Sequence, residues 1–159
     1  MVTCAVVAIT ATMFVPSMQS FVANNRLISV ANGLVSDLSL ARSEAIKRGV
    51  SVTLCQSSNG TACNNSSWSY GWIVFVDNNA SGSVDSGDAI LKISGGTKNT
   101  SATVAQAGFA TAGYVQFNSS GENNSGIGTF TVCQTSFNTQ QVTVSPTGRL
   151  SSSTLGACP

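Results

Sequence analysis

The chain has 159 residues, 8% of them charged, a net charge of +1 and no histidine. That length suits one globular domain plus an appendage, and the small net charge argues against bulk nucleic acid as the dominant partner. Without histidine, Ser-His-Asp and Cys-His nucleophiles, histidine-ligated metals and the commonest general base are absent, so neither enzyme chemistry, a cofactor nor a small-molecule substrate is expected.

The first 25 residues, Met1 to Asn25, carry no charged side chain. Residues 1–22 are mostly Val, Ala, Ile, Met and Phe, and about 20 such residues cross a bilayer as a helix. This segment is read as a transmembrane and filament-core helix, with Val6, Val7, Ile9, Phe14, Pro16 and Phe21 as its assembly positions. Pro16 is tolerated in such a helix at the cost of a kink or local melting. Cys4 reads as a small hydrophobe there. A cleaved signal peptide is the competing reading, but no basic region precedes the apolar run and the helical periodicity continues past it.

Residues 23–49 carry that periodicity onward. Leu27, Ala31, Leu34, Leu38, Ala41 and Ala45 follow alternating steps of four and three, one apolar stripe that predicts an amphipathic helix packed on a head. Lys47 and Arg48 suit the negative end of its dipole, and Gly49 is placed to cap it. A helix from Met1 to Arg48 would be on the order of 70 Å long at about 1.5 Å per residue. Its first half then needs cover from lipid or from other helices. Arg26, Arg42, Lys47 and Arg48 follow the apolar run, so the positive-inside rule alone would leave the head in the cytoplasm. The cysteines point to an oxidising compartment instead. Both hold if a basic leader lies upstream of Met1.

Residues 50–159 form the expected β-rich head. Val50, Val52 and Leu54 alternate with polar positions, as in a half-buried strand. Tyr70 to Val76, Ala89 to Ile93, Thr103 to Gln106, Gly113 to Asn118, Gly128 to Gln134 and Gln140 to Ser145 are further strand candidates, separated by Gly, Asn and Ser. Trp68, Tyr70 and Trp72 alternate into a strand, and packing on one sheet face is preferred to a sugar-stacking patch. Cys55, Cys63, Cys133 and Cys158 allow three pairings. Cys55–Cys63 and Cys133–Cys158 are favoured over a four-cysteine zinc site, because no CxxC pair is present. The fold class is α+β: a long N-terminal helix packed on an antiparallel sheet.

Ala23 to Leu27, the Leu40 to Gly49 block, Val52 to Cys55, Gly71 to Asp77, Asp88 to Leu91 and Ser145 to Arg149 together resemble the GspH/FimT family of minor pilins and pseudopilins. The resemblance covers essentially the whole chain and implies a type IV pilin-like fold with no enzymatic role. It implies leader cleavage by prepilin peptidase, N-methylation, and residence as a single-pass inner-membrane protein with its head in the periplasm. Assembly into an extracellular or periplasmic filament follows, by bundling with other pilins or pseudopilins. The family's leader motif would lie before Met1. Two roles stay open on this basis: a minor pilin priming a type IV pilus, with a link to DNA uptake, and a minor pseudopilin of type II secretion.

A third reading makes the head itself a DNA- or calcium-binding module on a filament. Some relatives bind DNA through a Gly-Arg-x-Arg motif, of which Gly148-Arg149 keeps the first arginine only. A turn glycine and a solvated arginine are the simpler account. Asp77, Asn79, Ser81, Asp85 and Asp88 place oxygens at the spacing of a calcium loop, but strands rather than helices flank them, and a polar hairpin connection is preferred.

Overall fold

The computed structural model describes residues 2–98 and 100–158, with side-chain burial from Ser20 onward. Helix α1 spans Val2–Arg48 and ends at Gly49, whose N–H donates to the Ala45 carbonyl at 2.9 Å and whose φ is +69°. All six stripe positions are buried. Three of them are alanines, which lets the helix backbone lie close to the strands beneath it.

Eight strands follow: β1 (Ser51–Gln56), β2 (Trp72–Asp77), β3 (Ile90–Ser94), β4 (Thr103–Ala107), β5 (Tyr114–Phe117), β6 (Gly128–Cys133), β7 (Asn138–Val144) and β8 (Leu150–Ala157). They form two antiparallel four-stranded sheets, ordered β3-β2-β1-β5 and β4-β6-β7-β8. The expectation of a single sheet is corrected here. The loop after β5 folds back on that strand, Asn124 N–H donating to the Gln116 carbonyl and Ser125 Oγ accepting from the Gln116 N–H, so the first sheet stops there.

The helix stripe closes both sheets. Val52, Leu54, Trp72, Val74, Val115 and Phe117 from the first sheet and Val104, Phe130, Val132, Val142 and Val144 from the second join it in one cluster. The first sheet is also covered on its far side, where Cys55, Ile73 and Phe75 pack with Cys63, Val84 and Tyr114. Strand β1 is therefore buried on both faces rather than half-buried, and every residue of β2 is buried. Double cover explains why β2 reads as a continuous apolar run.

The aromatic alternation before β2 is broken. Trp68–Tyr70 form one 3₁₀ turn, capped by Ser67 and closed by the Gly71 N–H on the Trp68 carbonyl at 3.1 Å. Trp68 and Trp72 go inward with ring centroids 6.5 Å apart, while Tyr70 is exposed. Gly71 has φ +126°, and a Cβ there would collide with the Ser94 carbonyl oxygen. Only glycine fits that crossing.

Strand β8 was not expected from the sequence. Its Ser151-Ser152-Ser153-Thr154 run has no apolar member, and these residues are exposed. The ladder to β7 and the Cys133–Cys158 disulfide, Cα–Cα 5.7 Å, hold it in place. Cys55–Cys63, Cα–Cα 5.7 Å, ties the covering loop to β1. These are the two favoured pairings. In the chain-entropy account, removing a disulfide costs more the longer its loop. Opening Cys133–Cys158, which closes 25 residues, should cost about 3.5 kcal/mol, against about 2.5 for the 8-residue Cys55–Cys63 loop. Urea melts of the paired Cys→Ser variants check that order.

Candidate functional site

Among the described residues, the cover that the head gives α1 stops short of Phe21 and Val22. Leu27 is the first residue of the stripe and is fully buried, whereas Phe21 and Val22 are 65% and 61% exposed. Ile28, on the flank of the helix, is exposed as well. Of the six assembly candidates, Phe21 is therefore on open surface, and the side chains of Val6, Val7, Ile9, Phe14 and Pro16 lie outside the described residues. Among the described residues no helix is long and apolar enough to cross a membrane. What this region offers chemically is exposed apolar helix surface at Phe21 and Val22.

A second feature is a groove of about 450 Å³ between the C-terminal half of α1 and the start of β8. Ser39, Arg42, Ser43, Ile46, Gly148, Arg149 and Leu150 line it. Arg42 is held by carbonyls, donating from Nε to Gly121 at 3.0 Å and from Nη2 to Thr147 at 3.3 Å. Gly148, at φ +75°, closes the turn: a Cβ would collide with the Gly121 carbonyl oxygen. Arg149 is exposed, and its backbone N–H donates to Ser145 Oγ at 3.0 Å. The fold thus places Arg42 beside the Arg149 singled out in the sequence. No carboxylate lines this groove. The nearby Glu44 is engaged by Arg48 at 2.5 Å and by Lys47 at 3.5 Å, and the Arg48 hydrogen bond, with Lys47, holds its carboxyl below the usual range.

The calcium candidates lie in the β2–β3 connection and bond to one another and to the backbone. Asp77 is fully buried and accepts from Thr53 Oγ1 (2.7 Å), Gln116 Nε2 (2.9 Å), Gly82 N–H (2.9 Å) and Ser81 N–H (2.9 Å). Asp85 accepts from Ser81 Oγ at 2.6 Å and Asn79 Nδ2 at 3.0 Å, which holds its carboxyl below the usual range, Ser81 contributing most. Asp88 accepts from the Asn78 and Asp85 N–H groups. Among the described residues no three acidic or cysteine side chains gather as a metal cluster. These oxygens organise a tight hairpin connection, and Asp77 anchors it to β1 and β5.

Sequence reasoning missed a buried charged group that couples α1 to the first sheet. Asp37, 1% exposed, accepts from Trp72 Nε1 at 2.7 Å and Ser94 Oγ at 2.5 Å through Oδ2. The Lys92 ammonium lies 2.5 Å from Oδ1, off the hydrogen-bonding direction, so that contact is an ion pair rather than a directed bond. A lone aspartate bordering the stripe between Leu34 and Leu38 was the available signal.

The family profile described as Type II transport protein GspH matches residues 30–148. The chain belongs to the GspH family. No curated protein sequence matches it. Among solved structures, the type IV minor pilin FimU of Pseudomonas aeruginosa superposes with TM-score 0.67 at 22% identity, covering 87% of this chain and 99% of FimU. The minor pseudopilin EpsH of the Vibrio cholerae type 2 secretion system superposes with TM-score 0.54 at 16% identity, covering 78% of this chain and 93% of EpsH. At such identities the two structures establish a shared fold: one N-terminal helix on antiparallel sheets, as in type IV pilin-like proteins. This GspH member therefore has the α+β architecture expected from its sequence.

Replacing Asp37 with alanine leaves the buried Trp72 Nε1 without an acceptor, at about 1–3 kcal/mol. The Lys92 arm, 43% exposed, adds little to that because solvent screens it. Asp37→Ala should lower the urea midpoint by the corresponding amount without changing the disulfides, and Asp37→Asn, which keeps an acceptor, should lose less.

Proposed function

We propose that this protein is a minor pilin, a structural and non-enzymatic subunit that helps to prime a type IV pilus. The observation that carries this reading is the change at Leu27, where burial under the protein's own head gives way to the exposed Phe21 and Val22. Apolar surface on a helix is stabilised by leaving water, at about 25 cal/mol per Å², and the head leaves Phe21 and Val22 exposed. Lipid receives it first, with the helix as a single-pass inner-membrane anchor (residues 1–22) and the head in the periplasm. Helices of other pilins receive it next, in the filament. Residues 23–49 then act as the joint between filament core and head, and residues 50–159 as the displayed head.

Membership of the GspH family and the shared fold with a minor pilin and a minor pseudopilin support this reading. They leave pilus priming and type II secretion side by side. Both roles use the same helix, so one experiment addresses both. A chromosomal deletion complemented by the wild-type chain should regain surface fibres, whereas Phe21→Asp with Val22→Asp should not, although the head keeps both disulfides. Rescue of protein export in place of fibres would reassign the subunit to secretion. Full rescue by the double variant would defeat assembly through this surface.

The arginine groove favours a second, additional reading: weak binding of DNA by the head. Arg42 and Arg149 line it without a carboxylate, and two phosphate contacts would lose about tenfold in affinity between about 50 and about 200 mM salt. Several heads on one filament would raise the overall affinity without new contacts. Gel shifts at those two salt concentrations should show that dependence and weakening by Arg149→Ala, which leaves the Arg42 carbonyl contacts intact. A shift indifferent to Arg149→Ala removes the groove from DNA binding.

A further inference from the structure

Gly33 lies in the interior of α1, yet a Cβ at this position would meet nothing within 4 Å. Glycine is among the poorest helix formers, so its presence costs helix stability that nothing in the subunit offsets. Gly95, just after β3, is equally unconstrained: its φ is not left-handed, and its Cβ would also meet nothing within 4 Å. Gly96 differs, because a Cβ there would strike the Ser69 carbonyl oxygen. Gly33 and Gly95 both line a pocket of about 220 Å³ between α1 and the end of β3, and their missing side chains keep it open.

Two polar groups in this pocket are short of partners. Asp37 is 1% exposed, and its Oδ1 accepts no hydrogen bond. A buried acceptor in that state is uncommon and costly. The Lys92 ammonium lies 2.5 Å from Oδ1 and donates no directed hydrogen bond to any described residue. Together they hold an acceptor and a donor side by side, with no net charge.

We propose that this pocket receives a primary carboxamide, the side-chain end of an asparagine or glutamine on a neighbouring filament subunit. Charge complementarity selects that group. A cation would meet the Lys92 ammonium and an anion the Asp37 carboxylate, which leaves a neutral group carrying a donor beside an acceptor. The nitrogen and oxygen of a carboxamide are about 2.2 Å apart, close to the 2.5 Å between Oδ1 and Nζ. Its N–H donates to Oδ1 and its oxygen accepts from Lys92. A sugar diol has similar polarity, but Trp72, the aromatic residue of the pocket, is 3% exposed and offers no face for a sugar ring. The source of the carboxamide rests on the pilin reading. Neighbours gathered at Phe21 and Val22 are held about 18 Å along the same helix from Gly33, and that local concentration supports a contact too weak to form alone.

The chain has two tryptophans, so the indole N–H region of a ¹⁵N spectrum of the full chain in mild detergent tests the site. Trp72 bonds Asp37 and reports the pocket, while Trp68 bonds Gln106 and serves as the internal control. Acetamide should move the Trp72 signal and leave Trp68 in place, with smaller movement from methylammonium or acetate at the same concentration. Gly33→Leu, which fills the pocket, should abolish that movement while keeping both disulfides and a urea midpoint at or above wild type. In the deletion strain the same variant should restore fewer fibres than the wild-type chain, or less export if secretion is the role. No movement of Trp72 with acetamide, or equal movement in Gly33→Leu, overturns the carboxamide site. Larger movement with methylammonium also overturns it, as a cation site. Wild-type fibre yield from Gly33→Leu, where Phe21→Asp with Val22→Asp gives none, overturns the docking and leaves the pilin reading standing.

Discussion

Both sheets share one wall, and that wall is a single helix. The first sheet supplies Val52, Leu54, Val74 and Val115, the second Phe130, Val132, Val142 and Val144, and all face the stripe from Leu27 to Ala45. Trp68 of the 3₁₀ turn and Phe109 pack beside it on Phe130, and among the described residues α1 is the only α-helix. Detaching the helix would return these side chains to water, at about 1.5–3 kcal/mol each for the larger ones. Against a typical net stability of about 5–15 kcal/mol, that is enough to unfold the head. The helix is therefore part of the head's core from Leu27 to Ala45, whereas Phe21 and Val22 lie outside it.

The few charges divide between holding the head together and leaving its surface smooth. Asp37 fixes the rotation of α1 by joining Trp72, Ser94 and Lys92. Asp77 pins the β2–β3 connection to Thr53 and Gln116. Asn, Ser, Thr and Gly make up most of the connecting loops. A neutral polar surface of this kind suits a head that must sit close to identical or related heads, because crowded like charges repel and neutral hydroxyls and amides do not.

The helix was legible because six apolar residues recur at helical spacing on one side and all six are buried. Strands β1, β2, β6 and β7 were legible for a related reason: each carries apolar side chains into the core. Strand β8 was not, because beyond Leu150 its residues are exposed and leave no periodic signal. The strand candidate began two residues early, at Tyr70, which closes the 3₁₀ turn instead; Gly71, at a φ no other residue adopts easily, is what turns the chain before β2. The groove was half visible. Arg149 stood out in its motif, but Arg42 comes beside it only through carbonyl contacts made by the folded Gly121 and Thr147 turns.

What connects fold to function is the change from the buried Leu27 to the exposed Phe21 and Val22. A reconstruction of the native filament containing this subunit, at side-chain resolution, tests that most directly. The account predicts that Phe21, Val22 and the helix upstream of them lie buried against helices of neighbouring subunits, with Leu27 to Ala45 still under the subunit's own head. Finding Phe21 and Val22 folded onto their own head, or facing solvent in the filament, would contradict it.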